Sequence, residues 1–263
     1  RLVDRVGHPH FFEALKRSGD IMRRLFAEPV YRRHLQARGG EQMVLVGYSD
    51  TNKEAGMAMS RWATHRAQVE LMRSVENTGL KLTICHARGG TVSRGGGRTD
   101  ALVQSAPPGA IQGRLRVTEQ GEVLNQNYGL RPIAMRSLER AFYALALASA
   151  NRARAIAEEP RFVEAMGVIA EESSRVYREL VFIDPEFYDY FRKTTPIDVI
   201  ERMQIGSRPA SRGDREGLEF LRPVPWVFAW TQSRLMLPGW FGVGSGLEAA
   251  ARRFGPEFLR EMR

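Results

Sequence analysis

The pattern of apolar and polar positions predicts helices that alternate with short strands. Residues 11–26 and 54–77 carry apolar side chains at helical spacing, and Pro29–Leu35 predicts a short helix between them. Residues 42–47 form a short, nearly continuous apolar run, which is typical of a buried parallel strand. Residues 80–86 form a second apolar run. The two runs and the helix between them therefore predict a strand–helix–strand unit with a parallel crossover.

The second half of the chain predicts mostly helices. Residues 113–118 and 122–126 flank a Glu-Gln-Gly turn, which predicts a β-hairpin. Residues 133–157 and 160–182 predict long helices that separate near Pro160.

Shorter elements are expected toward the carboxyl end. A short helix is predicted after Asp184-Pro185, a turn at Gly206–Pro209, a buried strand at Val224–Trp230 and a helix at residues 244–253. The alternation predicts an α/β fold, either a barrel or an open sheet, enriched in helix. In a barrel, reactive groups collect at the carboxyl ends of the strands, where Asp50 and His86 are expected.

A glycine- and arginine-rich run from Cys85 to Arg98 follows the second predicted strand. Its five glycines let the backbone approach a ligand closely. His86, Arg88, Arg94 and Arg98 can donate hydrogen bonds to phosphate or carboxylate oxygens. This run favours the binding of a small, multiply charged anion.

The residues of this run leave three interpretations open: an anion-binding active-site loop, an ordinary surface loop and a nucleic-acid-binding segment. The run is short, internal and flanked by apolar segments, unlike a disordered Arg-Gly-Gly tail. It has no Gly-Lys-Ser/Thr ending, which argues against a nucleotide-binding P-loop.

Composition narrows the class of protein. The 263 residues are 43% hydrophobic, as expected for one large globular domain or two small ones. The net charge of +9 comes nearly all from arginine, because lysine occurs only at positions 16, 53, 81 and 193. Arginines occur in every segment instead of clustering, which argues against a nucleic-acid-binding stripe without deciding the matter.

The cysteine content, the apolar runs and the chain ends further narrow the class of protein. Cys85 is the sole cysteine, which excludes an internal disulfide framework and a zinc site built on several cysteines. No apolar run approaches the ~20 residues that span a bilayer, and no signal peptide opens the chain. The chain starts at Arg1 and stops within a helical pattern over residues 256–263, so we expect both ends to be cut from a longer protein.

Five motifs in order resemble the phosphoenolpyruvate carboxylase family over nearly the whole chain. They are Val46–Gly56, His86–Gly97, Leu115–Glu122, Ile205–Ala210 and Pro225–Pro238. The resemblance implies a TIM-type (β/α)8 barrel, of which residues 1–263 would be an incomplete, helix-dominated portion. It also implies a lyase that condenses phosphoenolpyruvate with bicarbonate to oxaloacetate and phosphate, an anaplerotic fixation of carbon dioxide.

Site residues are carried over from matching motif positions. The resemblance assigns His86 to the carboxylation step and Lys53 to the bicarbonate site. Arg88 would clamp phosphate oxygens, and Arg208 of the Gly-Ser-Arg-Pro motif would meet the substrate phosphate. Arg94 would act in carboxylation and also reach an inhibitory dicarboxylate.

The resemblance also implies a divalent metal, Mg²⁺ or Mn²⁺. Asp50 matches the family's metal-ligand aspartate. Pro9–Glu13 resembles the stretch that carries the second ligand, so Glu13 is the second candidate, although Ala14 stands where the family has threonine. Both are carboxylates, the hard oxygen donors that these ions prefer.

Further expectations follow from the same resemblance. They are a cytoplasmic homotetramer, feedback by aspartate or malate, and no nucleic-acid or membrane partner. The amino-terminal part of the family supplies a catalytic histidine and a phosphate-binding arginine, so we expect residues 1–263 alone to be inactive. The alternative is a non-catalytic module of the same family that binds a dicarboxylate or phosphate, with an arginine-rich nucleic-acid binder ranked below it.

Overall fold

The computed structural model describes residues 11–111, 113–150, 159–203, 205, 209–212 and 217–262. Over these residues the fold is mixed α/β, dominated by helices, with one parallel sheet of three strands. The predicted α/β class is therefore confirmed. None of the described helices is long and apolar enough to cross a membrane.

The elements up to residue 150 are, in chain order, α1 (Phe11–Lys16), α2 (Ser18–Ala27), α3 (Pro29–Ala37), β1 (Glu41–Gly47), α4 (Ser49–Ala55), α5 (Met57–Val75), β2 (Lys81–Arg88), a 3₁₀ turn (Val92–Arg94), α6 (Thr99–Gln104), β3 (Arg116–Glu119), α7 (Gly121–Tyr128) and α8 (Arg131–Ala150). Those after residue 158 are α9 (Pro160–Arg178), a π-helical turn (Glu179–Ile183), α10 (Phe187–Thr194), α11 (Ile197–Arg202), α12 (Pro223–Thr231), α13 (Val243–Phe254) and α14 (Phe258–Glu261).

The chain divides into two compact units. The described part of the first unit comprises Glu13–Tyr48 and residues 63–150. The described part of the second comprises residues 11–12, Ser49–Trp62 and the residues after 158. The prediction that residues 1–263 form one partial barrel domain stays a prediction.

The parallel sheet belongs to the first unit and has the order β1-β2-β3. Val46 of β1 is paired with His86 of β2, and Arg88 of β2 is paired with Glu119 of β3. The predicted strand–helix–strand unit is thus confirmed, and β2 runs two residues beyond His86. The hairpin prediction was wrong: the expected second strand, residues 122–126, lies in helix α7, and β3 pairs in parallel with β2 instead.

The expectation that β1 is buried was only half right. Val46 faces the core of the first unit, but Met43 and Leu45 are 45% and 47% exposed. Side chains alternate between the two faces of a strand, and the described helices cover only one face of β1. A continuous apolar run therefore did not mean burial on both faces.

The first predicted helix is divided at Arg17 into α1 and α2, and the helix expected over residues 54–77 is divided at Gly56. Gly56 has φ +76°, a left-handed conformation that ends α4 before α5 begins. In the second unit its α-carbon faces the ring of Tyr177. The helices predicted at Pro29–Leu35 and residues 244–253 are confirmed as α3 and α13.

The predicted strand at Val224–Trp230 was wrong, because this segment is helix α12. Its prolines, Pro223 and Pro225, lie in the first turn, where their missing N–H groups have no helical partner to lose. The aromatic side chains pack against α10, with the Trp226 and Phe191 ring centroids 5.0 Å apart. A short apolar run fits a buried helix as well as a buried strand, and the prolines were the signal against a strand.

The long carboxyl-terminal helices agree with their predictions where they are described. The helix predicted from residue 133 is α8 as far as Ala150, and residues 151–157 lie outside the described part. The helix predicted at residues 160–182 is α9, whose last turn widens into the π-helical turn. The short helix expected after Asp184-Pro185 is α10.

Gly56→Ala tests the break between α4 and α5. Alanine resists φ +76°, and its Cβ would lie 3.2 Å from Cγ of Tyr177. We expect the free energy of unfolding to fall by about 1–3 kcal/mol in urea titrations followed by tryptophan fluorescence. Gly167→Ala is the matched control, because its Cβ would meet nothing within 4 Å inside helix α9, and it should raise stability by about 0.5–1 kcal/mol. Equal effects of the two changes would contradict this account of Gly56.

Candidate active site

The glycine-rich run after β2 folds back on itself. We call residues Gly89–Arg98 the arginine loop. The Gly89 N–H donates to the Arg94 carbonyl at 2.8 Å, and the Gly96 N–H donates to the Thr91 carbonyl at 2.7 Å. Together with the 3₁₀ turn, these bonds give the loop a defined backbone path, unlike a disordered Arg-Gly-Gly tail.

The three arginines of this region have different surroundings. Arg88 is 5% exposed, and its Nε and Nη2 donate to the carbonyls of Gly95 (2.7 Å) and Gly97 (2.9 Å). Arg94 is 2% exposed. Arg98 is largely exposed, and its Nε donates to Oδ1 of Asp100 at 3.0 Å. Arg88 at the end of β2 and Arg94 in the loop are therefore buried in the first unit, whereas Arg98 lies at its surface.

His86 lies deep in the same unit, near Arg88. It is 1% exposed, and its neighbours in the sheet register are Val46 and Val117, both of which contribute to the apolar core. Its Nδ1 is 2.8 Å from the hydroxyl oxygen of the buried Tyr48. The imidazole thus has a polar partner at Nδ1 and apolar neighbours on the adjacent strands.

Burial lowers the pKa of His86 to about 4, and the nearby Arg88 charge adds to the effect. A charged imidazolium would lose water here and also meet a like charge. His86 is therefore neutral near pH 7. In that state it can donate a hydrogen bond from one ring nitrogen and accept one at the other.

Gly95 allows the arginine loop to pass close to Tyr48. It has φ +77°, and a Cβ at this position would lie 2.5 Å from Cβ and Cγ of Tyr48. Its carbonyl also accepts the Arg88 hydrogen bond. We call His86, Tyr48, Arg88 and Gly95 the His86 cluster, because contacts connect all four.

Lys53, in the second unit, is also buried. Its Nζ donates to the Leu218 carbonyl and lies 5.7 Å from the centroid of the Phe182 ring. Its own carbonyl accepts a hydrogen bond of 2.7 Å from the Tyr177 hydroxyl, which anchors α4. Burial lowers the pKa of the Lys53 ammonium to about 8, so part of the population is neutral in mildly alkaline solution.

Asp50 is the second residue of α4 and has an arginine partner. Its Oδ1 accepts a hydrogen bond of 2.6 Å from Nη2 of Arg212, and both side chains are partly buried. Arg212 was missed by sequence reasoning. No motif contains it, and the two residues are 162 positions apart.

The predicted metal ligands do not make a complete site. Glu13 is exposed in α1, and its Oε1 is 3.2 Å from Nζ of Lys16. Asp50 offers a hard oxygen donor but already binds Arg212. Among the described residues there is no group of three or more His, Cys, Asp or Glu side chains that could hold a metal ion. Because Glu13 and Asp50 belong to different units, their sharing of one ion stays a prediction.

The structure thus groups the predicted residues into two sets. The first unit contains His86, Arg88 and Arg94, and the second contains Asp50 and Lys53. Arg208 lies outside the described residues. Tyr48 had no predicted role, although its place directly after β1 was a signal that it lies at the carboxyl end of the strand.

Comparison with known proteins gives consistent matches. Residues 10–263 match the family model described as phosphoenolpyruvate carboxylase. The chain is similar to proteins named phosphoenolpyruvate carboxylase from Xanthomonas oryzae pv. oryzae (52% identity), Chromohalobacter salexigens (45%) and Rhodopseudomonas palustris (42%). These matches cover 90%, 95% and 95% of this chain, and 26%, 28% and 27% of the respective relatives. The chain therefore spans about a quarter of the length of the curated relatives it matches.

The buried, neutral state of His86 predicts a pH dependence of stability. The pKa of His86 is about 4 in the folded protein, against 6.5 for an ordinary histidine. Between these values the unfolded chain binds a proton that the folded chain does not, so stability falls as the pH drops from 6.5 to 4. The stabilisation that the low pKa of His86 provides is fully present above pH 6.5. On the order of 3 kcal/mol of it is lost as the pH falls from 6.5 to 4.

His86→Gln removes the titrating group. In urea titrations across this pH range, we expect the stability of the variant to fall less steeply than that of the parent chain. His34→Gln, at an exposed histidine of the same unit, is the matched control. Parallel curves for the parent and His86→Gln would contradict the assignment.

Proposed function

This chain belongs to the phosphoenolpyruvate carboxylase family, and we propose that the polypeptide which contains it condenses phosphoenolpyruvate with bicarbonate to form oxaloacetate and phosphate. The observation that carries the proposal is the burial of His86 and Arg88 near the carboxyl end of β2, and of Arg94 in the glycine-rich loop that follows. Fixed donors in a water-poor setting interact strongly with an anion that reaches them.

The proposed reaction has two steps. A bicarbonate oxygen attacks phosphorus of phosphoenolpyruvate, the bond from phosphorus to the enol oxygen breaks, and carboxyphosphate and the pyruvate enolate form. Carboxyphosphate then divides into carbon dioxide and phosphate, and the enolate carbon bonds to carbon dioxide to give oxaloacetate. Every species is anionic except carbon dioxide, so the protein must place cations and hydrogen-bond donors around the reacting atoms.

The predicted residues that the structure describes have surroundings that suit their proposed roles. Arg88 offers a planar guanidinium whose orientation is fixed by two loop carbonyls, which suits the binding of phosphate oxygens. Arg94, buried in the same loop, would stabilise the carboxylation step, and His86 would donate a hydrogen bond to carboxyphosphate or the enolate. Lys53 would bind bicarbonate, and Arg208 would meet the substrate phosphate.

A divalent cation, Mg²⁺ or Mn²⁺, is part of the same proposal, with Asp50 and Glu13 as its candidate ligands in this chain. Such an ion would neutralise negative charge on the phosphate and the enolate oxygen. The described residues supply too few ligands for a closed site, so further ligands would have to come from elsewhere in the complete polypeptide.

The same proposal covers the architecture. Three parallel strands in sequential order, connected by helices, are compatible with part of a (β/α)8 barrel. The exposed apolar residues Met43 and Leu45 fit a strand whose second face is covered by other parts of a longer chain. The homotetramer, the cytoplasmic location and feedback by aspartate or malate stay predictions that rest on the family resemblance.

Assay of oxaloacetate tests the function. We expect the complete polypeptide, supplied with phosphoenolpyruvate, bicarbonate and Mg²⁺, to produce oxaloacetate, measured as malate dehydrogenase-coupled oxidation of NADH. Residues 1–263 alone should give no rate above background, because they span about a quarter of the length of relatives named phosphoenolpyruvate carboxylase. A complete polypeptide that binds malate or phosphate without turnover would support the non-catalytic alternative.

Arg94→Ala separates the two steps in the complete polypeptide. Bicarbonate-dependent phosphate release should persist, while oxaloacetate formation falls roughly a hundredfold, a loss typical of removing one transition-state donor. Arg114→Ala is the control, since Arg114 is an exposed arginine of the same unit that pairs with Glu41. If Arg94→Ala lowered both products equally, its assignment to the second step would be wrong.

A further inference from the structure

The contact between Tyr48 and His86 constrains which ring nitrogen of His86 carries the proton. The Tyr48 hydroxyl oxygen is 2.8 Å from Nδ1 of His86, and both side chains are buried. A neutral imidazole has one protonated nitrogen and one acceptor nitrogen. The partner of one ring nitrogen therefore determines the function of the other.

Two proton arrangements satisfy this contact, and they have opposite consequences. If Nδ1–H donates to the tyrosine oxygen, Nε2 is a bare acceptor. If the tyrosine O–H donates to Nδ1, Nε2 carries the proton and becomes a donor. A phenol is a good hydrogen-bond donor and an imidazole nitrogen is a strong acceptor, so the second arrangement is the more favourable pairing.

We propose that Tyr48 is a positioning residue that donates its hydroxyl proton to Nδ1 of His86 and thereby keeps the opposite nitrogen, Nε2, protonated as a hydrogen-bond donor. The catalytic consequence rests on the proposed function, in which His86 stabilises anionic carboxyphosphate or the enolate. A bare Nε2 would repel these anions, whereas Nε2–H stabilises them. Tyr48 thus acts through His86.

The surroundings of Tyr48 hold it in place for this role. Its ring lies against Gly95, where there is no room for a Cβ, and the Gly95 carbonyl is bound by Arg88. Movement of the Tyr48 ring would therefore disturb the arginine loop. The lowered pKa of His86 agrees with a neutral ring that needs a fixed tautomer.

The first experiment reads the tautomer directly. Solid-state ¹⁵N NMR of the complete, histidine-labelled polypeptide at pH 8 distinguishes protonated from bare ring nitrogens, and the His86 signals are those lost in His86→Gln. We expect bare Nδ1 and protonated Nε2. Tyr48→Phe, which keeps the ring, should change these signals. Tyr31→Phe, which removes another hydroxyl of the same unit from its bond to Gln42, should not.

Either of two spectral results would overturn the inference. One is protonated Nδ1 in the parent protein. The other is an unchanged His86 spectrum in Tyr48→Phe. Because the spectrum does not depend on turnover, this outcome is independent of whether the polypeptide is a carboxylase.

The second experiment reads the catalytic consequence. Tyr48→Phe should lower the oxaloacetate formed per phosphate released by roughly tenfold, which corresponds to about 1.4 kcal/mol of lost hydrogen bonding. His86→Gln places an amide N–H near the position of Nε2, and His86→Asn places one near Nδ1. The glutamine variant should therefore retain the higher ratio of oxaloacetate formed to phosphate released. In the His86→Gln background, Tyr48→Phe should change this ratio less than twofold.

A further tenfold loss in that background would show that Tyr48 acts structurally, and would overturn its assignment as a positioning residue. No oxaloacetate from the parent polypeptide would overturn the proposed function and the catalytic half of this inference together. The ¹⁵N spectrum would still decide the tautomer.

Discussion

A cation buried in a protein must be matched by acceptors, and the arginine loop meets this constraint for Arg88 with its own backbone. The carbonyls of Gly95 and Gly97 accept hydrogen bonds from the guanidinium, so the side chain that would bind substrate also holds the loop together. Tyr48 lies against Gly95 of the same loop, and its hydroxyl is in hydrogen-bond contact with His86. Disturbing one member of the His86 cluster therefore alters the setting of the others.

The second unit also contains a buried cation, Lys53, but its partners compensate the charge less fully. Lys53 is buried against a carbonyl and an aromatic ring, and this weak compensation is why its pKa falls to about 8. Asp50, three residues earlier, instead has an oppositely charged partner in Arg212. Both contrast with the exposed helix-surface ion pairs, such as Lys193 with Asp189, which contribute little to stability.

Local patterns predicted the elements well where two signals agreed. Pro29 at a helix start and the paired apolar runs of β1 and β2 were interpreted correctly. The hairpin at residues 113–126 and the strand at Val224–Trp230 were wrong, because a short apolar segment fits several structures and its partner decides among them. For β3 that partner is the parallel strand β2, and for α12 it is the aromatic face of α10.

The sequence by itself determined the family, the α/β class and a set of candidate reactive side chains, since ordered motifs and residue chemistry are properties of the chain. Only the tertiary structure decided which of these groups are buried and what they contact. The neutral state of His86, its bond to Tyr48 and the pairing of Asp50 with Arg212 all depend on residues distant in sequence. Desolvation and hydrogen bonding act through space, and no local pattern records which distant side chain will be the neighbour.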